Sequence, residues 1–140
     1  MAIIRRTAFV PAILVALCPA VAGAAAYIGA GSGIVHTSGP AFQLAAEVYH
    51  RVEIHVSAWR DDERVRAAGV EYRFDNGSPL SVALGVAHVN TLTPNLLRHA
   101  NAYVEVRVQP FKRFSCQISH YSSVGDDDGE NLLLCGIHWP

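Results

Sequence analysis

The sequence predicts an all-β protein: an eight-stranded antiparallel up-and-down transmembrane β-barrel preceded by a cleavable signal peptide. Three observations carry this. Apolar and polar residues alternate with period 2 through most of the chain, and no segment holds a helical period over three turns. The breaks between these runs alternate between tight turns and longer polar loops. The composition is 51% hydrophobic and 16% charged over 140 residues, which is apolar for a chain of this size. That length allows one domain plus a removable leader. A formal net charge of -1 excludes the clustered basic excess of a nucleic-acid binder. Three cysteines are too few for a disulfide-dense scaffold.

Residues 1–24 read as the export signal. Arg5 and Arg6 stand in an acid-free start, an apolar stretch runs from Ala8 to about Val21, and Ala22-Gly23-Ala24 offers small residues for cleavage after Ala24 or Ala26. A membrane anchor would need roughly 20 apolar residues. This run is shorter and contains Pro11 and Pro19. Lipidation at Cys18 is disfavoured by the bulky Leu17 before it. The barrel domain is then residues 25–140, exported from the cytoplasm, where disulfides are permitted but not required.

The strands follow in order. Tyr27 to His36 is a Gly-rich alternating run. Phe42, Leu44, Ala46 and Val48 mark the second strand, and Val52, Ile54, Val56 and Ala58 the third. Val70, Tyr72 and Phe74 mark the fourth, and Leu80, Val82, Leu84 and Val86 the fifth. Val104, Val106 and Val108 define the sixth, and Phe114, Cys116 and Ile118 the seventh. The last, Glu130 to Trp139, is apolar on both parities in its middle. Each is about ten residues, the length of a tilted spanning strand. Arg64 and Arg66 share the parity of Val70, which requires a bulge near Ala67-Ala68 or a loop extending to Arg66.

The tight turns are Tyr49-His50-Arg51, Asp75-Asn76-Gly77-Ser78 and Pro110-Phe111-Lys112. Asn-Gly is a strong hairpin signal. The longer breaks are Thr37–Pro40, Arg60–Glu63, Asn90–Ala100 and Val124–Gly129. Alternation alone does not tell a lipid-facing apolar wall from a core-facing one, so a soluble periplasmic barrel or sandwich binding an apolar ligand stays open. Charges of both signs in mid-strand (Glu47, Glu53, Glu71, Arg73, Glu105, Arg107) against a uniformly aliphatic opposite face favour an outer-membrane barrel with a paired ionic lumen. Trp59 and Trp139 fit interfacial anchors.

Chemistry concentrates in Ser119 to Leu132. His120 and Ser122 are two apart on a strand and share one face, that of Phe114, Cys116 and Ile118. Pairing Ser122 with Glu130 would bring a carboxylate beside His120. A nucleophile, a base and an orienting group would then meet on the outer rim. In that register Cys116 and Cys135 point to opposite faces, so free thiols are expected. Asp126-Asp127-Asp128-Gly129 lacks the ligand spacing of a calcium loop, and the seven histidines show no metal-ligand spacing. No cofactor or metal is expected.

The segment His120-Tyr121-Ser122-Ser123-Val124-Gly125, an Asp/Gly-rich loop, Glu130 and a final apolar strand resembles the C-terminal signature of the lipid A 3-O-deacylase family. The match spans about residues 117 to 139. The resemblance implies an eight-stranded outer-membrane esterase that hydrolyses the 3-position acyl ester of lipid A in lipopolysaccharide. Ser122 would be the nucleophile, His120 the general base and acid, and Glu130 its orienter. Ser123 stands where the family has Asn, so its hydroxyl or backbone N–H groups toward Gly125 would have to support the oxyanion. A non-catalytic small outer-membrane barrel, structural or adhesive, is the alternative.

Overall fold

The computed structural model describes residues 25–125 and 128–140. The signal peptide expected over residues 1–24, and two of the three loop aspartates, lie outside the described residues.

Eight strands form one closed barrel, β1 through β8 in chain order. They are β1 (Ala26–Ile34), β2 (Pro40–Tyr49), β3 (Val52–Arg60), β4 (Arg64–Phe74), β5 (Leu80–Val89), β6 (Ala100–Phe111), β7 (Phe114–Ser122) and β8 (Glu130–Trp139). Each strand pairs antiparallel with the next, and β8 closes on β1 from Ala26↔Trp139 to Ile34↔Asn131. Closure leaves no strand edge for another chain to extend.

Both chain ends of the barrel lie with the tight turns. His50 and Arg51 join β2 to β3 with φ of 24° and 66°. Positive φ at both central residues is the turn whose twist matches a hairpin. In the β4–β5 turn Gly77 adopts φ 79°, and its N–H donates to Asp75 Oδ1 at 2.7 Å. The longer β1–β2, β3–β4, β5–β6 and β7–β8 loops gather at the other end, here called the loop end.

The fourth strand departs from expectation. Register with β3 is continuous from Arg60↔Arg64 to Val52↔Tyr72, with neither a bulge at Ala67-Ala68 nor a loop reaching Arg66. Arg64 and Arg66 face outward because they sit at the rim, where a charged side chain on the outer wall reaches water. The register shifts fall instead at Glu47/Tyr49 and Val108/Phe111, beside tight turns.

The wall is apolar outside and the lumen is polar at mid-height. Ile28, Phe42, Val70, Leu84, Val86, Val106, Ile118, Leu133 and Ile137 stand exposed on the outer surface. Inside, Arg73 donates to Glu53 (2.9 Å), Glu71 (3.2 Å) and Glu105 (2.7 Å). Arg107 pairs with Glu105 at 3.0 Å and Glu53 at 3.3 Å, and donates to Gln117 at 3.0 Å. Fixed two-donor forks suit guanidinium to this role, because buried carboxylates are tolerated only when paired. Above this network, toward the loop end, the lumen turns apolar. Trp59, Val65, Val89, Leu96, Tyr121, Leu132 and Leu134 form a buried cluster there. Trp59, expected as an interfacial anchor, is therefore inside the barrel, 3% exposed. Trp139 stays on the outer wall.

Candidate functional site

His120 and Ser122 both project from the outer wall at the loop end of β7, as strand parity requires. Their inward neighbours Ser119, Tyr121 and Ser123 are buried. The partner strand is where expectation fails. β7 pairs with β8 as Tyr121↔Glu130, His120↔Asn131 and Cys116↔Cys135. Glu130 is thus on the inward parity, fully buried, and accepts hydrogen bonds from Trp59 Nε1 and from Thr93 Oγ1. It does not join Ser122 and His120. A slip of one residue moves every side chain of a strand to the other face.

The same register brings the two cysteines together. Cys116 and Cys135 are disulfide-bonded, with Cα atoms 4.0 Å apart, on the outer wall. The expected free thiols are overturned, and with them the register that placed Glu130 outward.

Asn131 takes the place beside His120. Its Oδ1 lies 2.9 Å from His120 Nδ1. With Nδ1 protonated, the amide oxygen accepts that proton's hydrogen bond and leaves the Nε2 lone pair open. Gly129, at φ 66°, packs directly beneath the ring: a Cβ there would collide with His120 Cε1 and the Tyr121 carbonyl. Continuing the register places Gly129 opposite Ser122. Ser122 Oγ donates to the Ser123 carbonyl at 3.3 Å. Sequence reasoning missed Asn131, although it directly follows Glu130; only the phase of β8 separates the two.

The Ser123 hydroxyl does not face this wall. It points into the lumen, 2% exposed, where its hydroxyl donates to Asn101 Oδ1 at 2.7 Å and accepts from the Arg98 N–H at 3.0 Å. It ties the end of β7 to the β5–β6 loop. Gly125 sits exposed in the β7–β8 loop.

That β5–β6 loop folds across the barrel mouth. Leu96 is fully buried, Thr93 bridges to it, and Asn95 Nδ2 donates to the His36 carbonyl at 3.1 Å. Glu130, Thr93 and Trp59 are therefore a closure beneath the loop. Among the described residues no group of three or more His, Cys, Asp or Glu is arranged to hold a metal ion.

No family model and no curated protein sequence matches the chain. Among solved structures, the N-terminal β-barrel domain of Pseudomonas aeruginosa OprF is similar, with a TM-score of 0.54 and 16% sequence identity. The similarity covers 82% of this chain and 97% of that one, so what the two share is the outer-membrane-type eight-stranded barrel fold.

Proposed function

We propose that this protein is a small outer-membrane barrel with a structural role, spanning the bilayer as a sealed cylinder. The observation that carries this is the inverted polarity. Aliphatic side chains cover the outer wall, while Glu53, Glu71 and Glu105 pair with Arg73 and Arg107 inside. A soluble barrel that binds an apolar ligand needs the reverse, with a greasy cavity and a wet exterior. Here the lumen is filled by its own side chains, ionic at mid-height and aromatic under the mouth. The test is expression in a Gram-negative host followed by fractionation. The mature chain is expected in the outer membrane, resistant to urea washing, with heat-modifiable gel mobility. Recovery in the periplasmic fraction without detergent would overturn this function.

A second function is favoured by one observation, the 2.9 Å contact between His120 and Asn131 on the face that carries Ser122. This would be an esterase of the lipid A 3-O-deacylase type at the outer rim, with Asn131 instead of Glu130 orienting the base. Ser122 Oγ would attack the acyl carbonyl and pass its proton to His120 Nε2. That proton would then go to the departing alcohol oxygen as the ester C–O bond breaks, and water would release the acyl group by the same route. An amide stabilises imidazolium less than a carboxylate, so the rate would be low. Lipid A from the expressing host should lose the mass of one hydroxyacyl chain. Ser122→Ala, His120→Ala and Asn131→Ala should each abolish the loss, and Glu130→Gln should not. Unchanged lipid A despite confirmed insertion leaves the non-catalytic barrel.

A further inference from the structure

Arg60, the last residue of β3, and Arg64, the first of β4, are direct cross-strand partners. Arg66 follows two residues along β4 on the same outward face, with Val65 and Ala67 buried between and beyond. Like charges placed directly opposite on a sheet repel. All three side chains are exposed. None of the three guanidinium groups makes a hydrogen bond or ion pair among the described residues, whose ion pairs all involve Arg73, Arg107 or His55. Asp61, Asp62 and Glu63 occupy the adjoining loop, yet none lies within salt-bridge distance of these arginines.

The backbone beneath the cluster is held firmly. The Arg66 N–H donates to Asn90 Oδ1 at 2.6 Å, the Asn90 N–H donates to the Arg66 carbonyl at 2.9 Å, and Thr91 Oγ1 donates to the Arg64 carbonyl at 3.2 Å. On β5 beside them, His88 stacks on His99 with ring centroids 5.5 Å apart. Directly below on the same wall come Ala58, Ala68, Val70 and Val86, the start of the aliphatic belt. The cluster thus stands at the boundary between apolar wall and loop end. By strand order β4 lies across the barrel from β8, away from His120 and Ser122.

We propose that Arg60, Arg64 and Arg66 form a binding site for the phosphate group of an outer-leaflet glycolipid whose acyl chains lie along the aliphatic wall below. Arg60 and Arg64, paired across the strands, and Arg66 on the same face present guanidinium forks that suit a tetrahedral oxyanion, and an anion between Arg60 and Arg64 removes their repulsion. The adjoining apolar wall selects a lipid over a soluble phosphate. This inference rests on the outer-membrane function proposed above.

The test is native mass spectrometry of the mature protein released from detergent micelles. The probes are lipid A carrying its phosphates, the same lipid dephosphorylated, phosphatidylcholine, and inorganic phosphate. The wild type should retain phosphorylated lipid A, with loss of the adduct as salt is raised. The triple variant Arg60→Gln/Arg64→Gln/Arg66→Gln should bind it at least about tenfold more weakly while keeping heat-modifiable mobility. Arg64→Gln alone, which removes the cross-strand repulsion and so should fold, should show a smaller loss. The triple Lys variant should recover only part of the binding. Equal retention by wild type and a folded triple Gln variant would overturn the proposal, as would equal retention of the dephosphorylated lipid. Displacement of the lipid by equimolar inorganic phosphate would also overturn it. A wild type that never inserts into membranes fails earlier, and sinks the outer-membrane function as well.

Discussion

Cys116 and Cys135 face each other across β7 and β8 with Cα atoms 4.0 Å apart, and in the register that joins them His120 meets Asn131. His120 lies four positions after Cys116 and Asn131 four positions before Cys135, so the disulfide and the His–Asn contact belong to one ladder. Glu130 is left with only the lumen to occupy.

Neither cysteine of the oxidised protein should react with a thiol reagent under denaturing conditions until a reductant is added. Cys116→Ser/Cys135→Ser should lower stability by about 3 kcal/mol, the order expected for closing a loop of this length. Urea unfolding in detergent, followed by gel mobility, measures the difference. Quantitative labelling of both thiols in protein purified from the outer membrane would disprove the pairing.

Glu130 accepts from both Trp59 and Thr93 beneath the β5–β6 loop. Glu130→Ala should cost about 1–3 kcal/mol for each buried donor left without a partner. Glu130→Gln keeps one acceptor oxygen and should cost less. In a Trp139→Phe background the emission of Trp59 should shift to longer wavelength in the Ala variant as water enters the mouth. An unchanged spectrum would place Trp59 away from this carboxylate.

Arg73 pairs with Glu53, Glu71 and Glu105 at once. Arg73→Ala strands three carboxylates with Arg107 as the remaining lumen arginine, and should destabilise the barrel by about 3–5 kcal/mol. Arg73→Lys, a single point charge in place of a fork, should recover part of that. The urea midpoint in lipid vesicles is the measure, and equal midpoints for Ala and wild type would contradict the network.

Gly129 lies under the His120 ring at φ 66°. Gly129→Ala should push the ring off Asn131, visible as a changed His120 imidazole resonance, with a modest stability loss of about 1 kcal/mol from the left-handed backbone. If deacylation is observed, the same variant should lose it without leaving the membrane, and Asn131→Asp should raise it.

The lumen is closed at two levels, by the Arg–Glu network and by the Leu96 side of the β5–β6 loop. The purified protein should therefore give no steady conductance in planar bilayers. Arg73→Ala, which thins the middle level, should still conduct little while Leu96 and Trp59 stay in place.

Strand number, order and most boundaries were legible because period-2 alternation is read directly from side-chain chemistry. Val104-x-Val106-x-Val108 against Glu105 and Arg107 leaves one phase open. The turns were legible for the same reason, since Asn76-Gly77 needs no tertiary partner. β8 was different. Leu132, Leu133, Leu134 and Cys135 are apolar on both parities, so the pattern carried no phase. Reading Leu132 and Leu134 as outward placed Glu130 outward with them.

The sequence by itself determined a closed eight-strand meander with His120 and Ser122 on one outer face. Only the tertiary structure decided which residue completes that face. An apolar cluster under the mouth takes up Leu132 and Leu134, the disulfide matches Cys116 to Cys135, and Glu130 finds Trp59 and Thr93 inside. These contacts link residues far apart in the chain, and local alternation cannot rank them. That is the physical reason a single-residue phase, and the chemistry that hangs on it, was settled by packing.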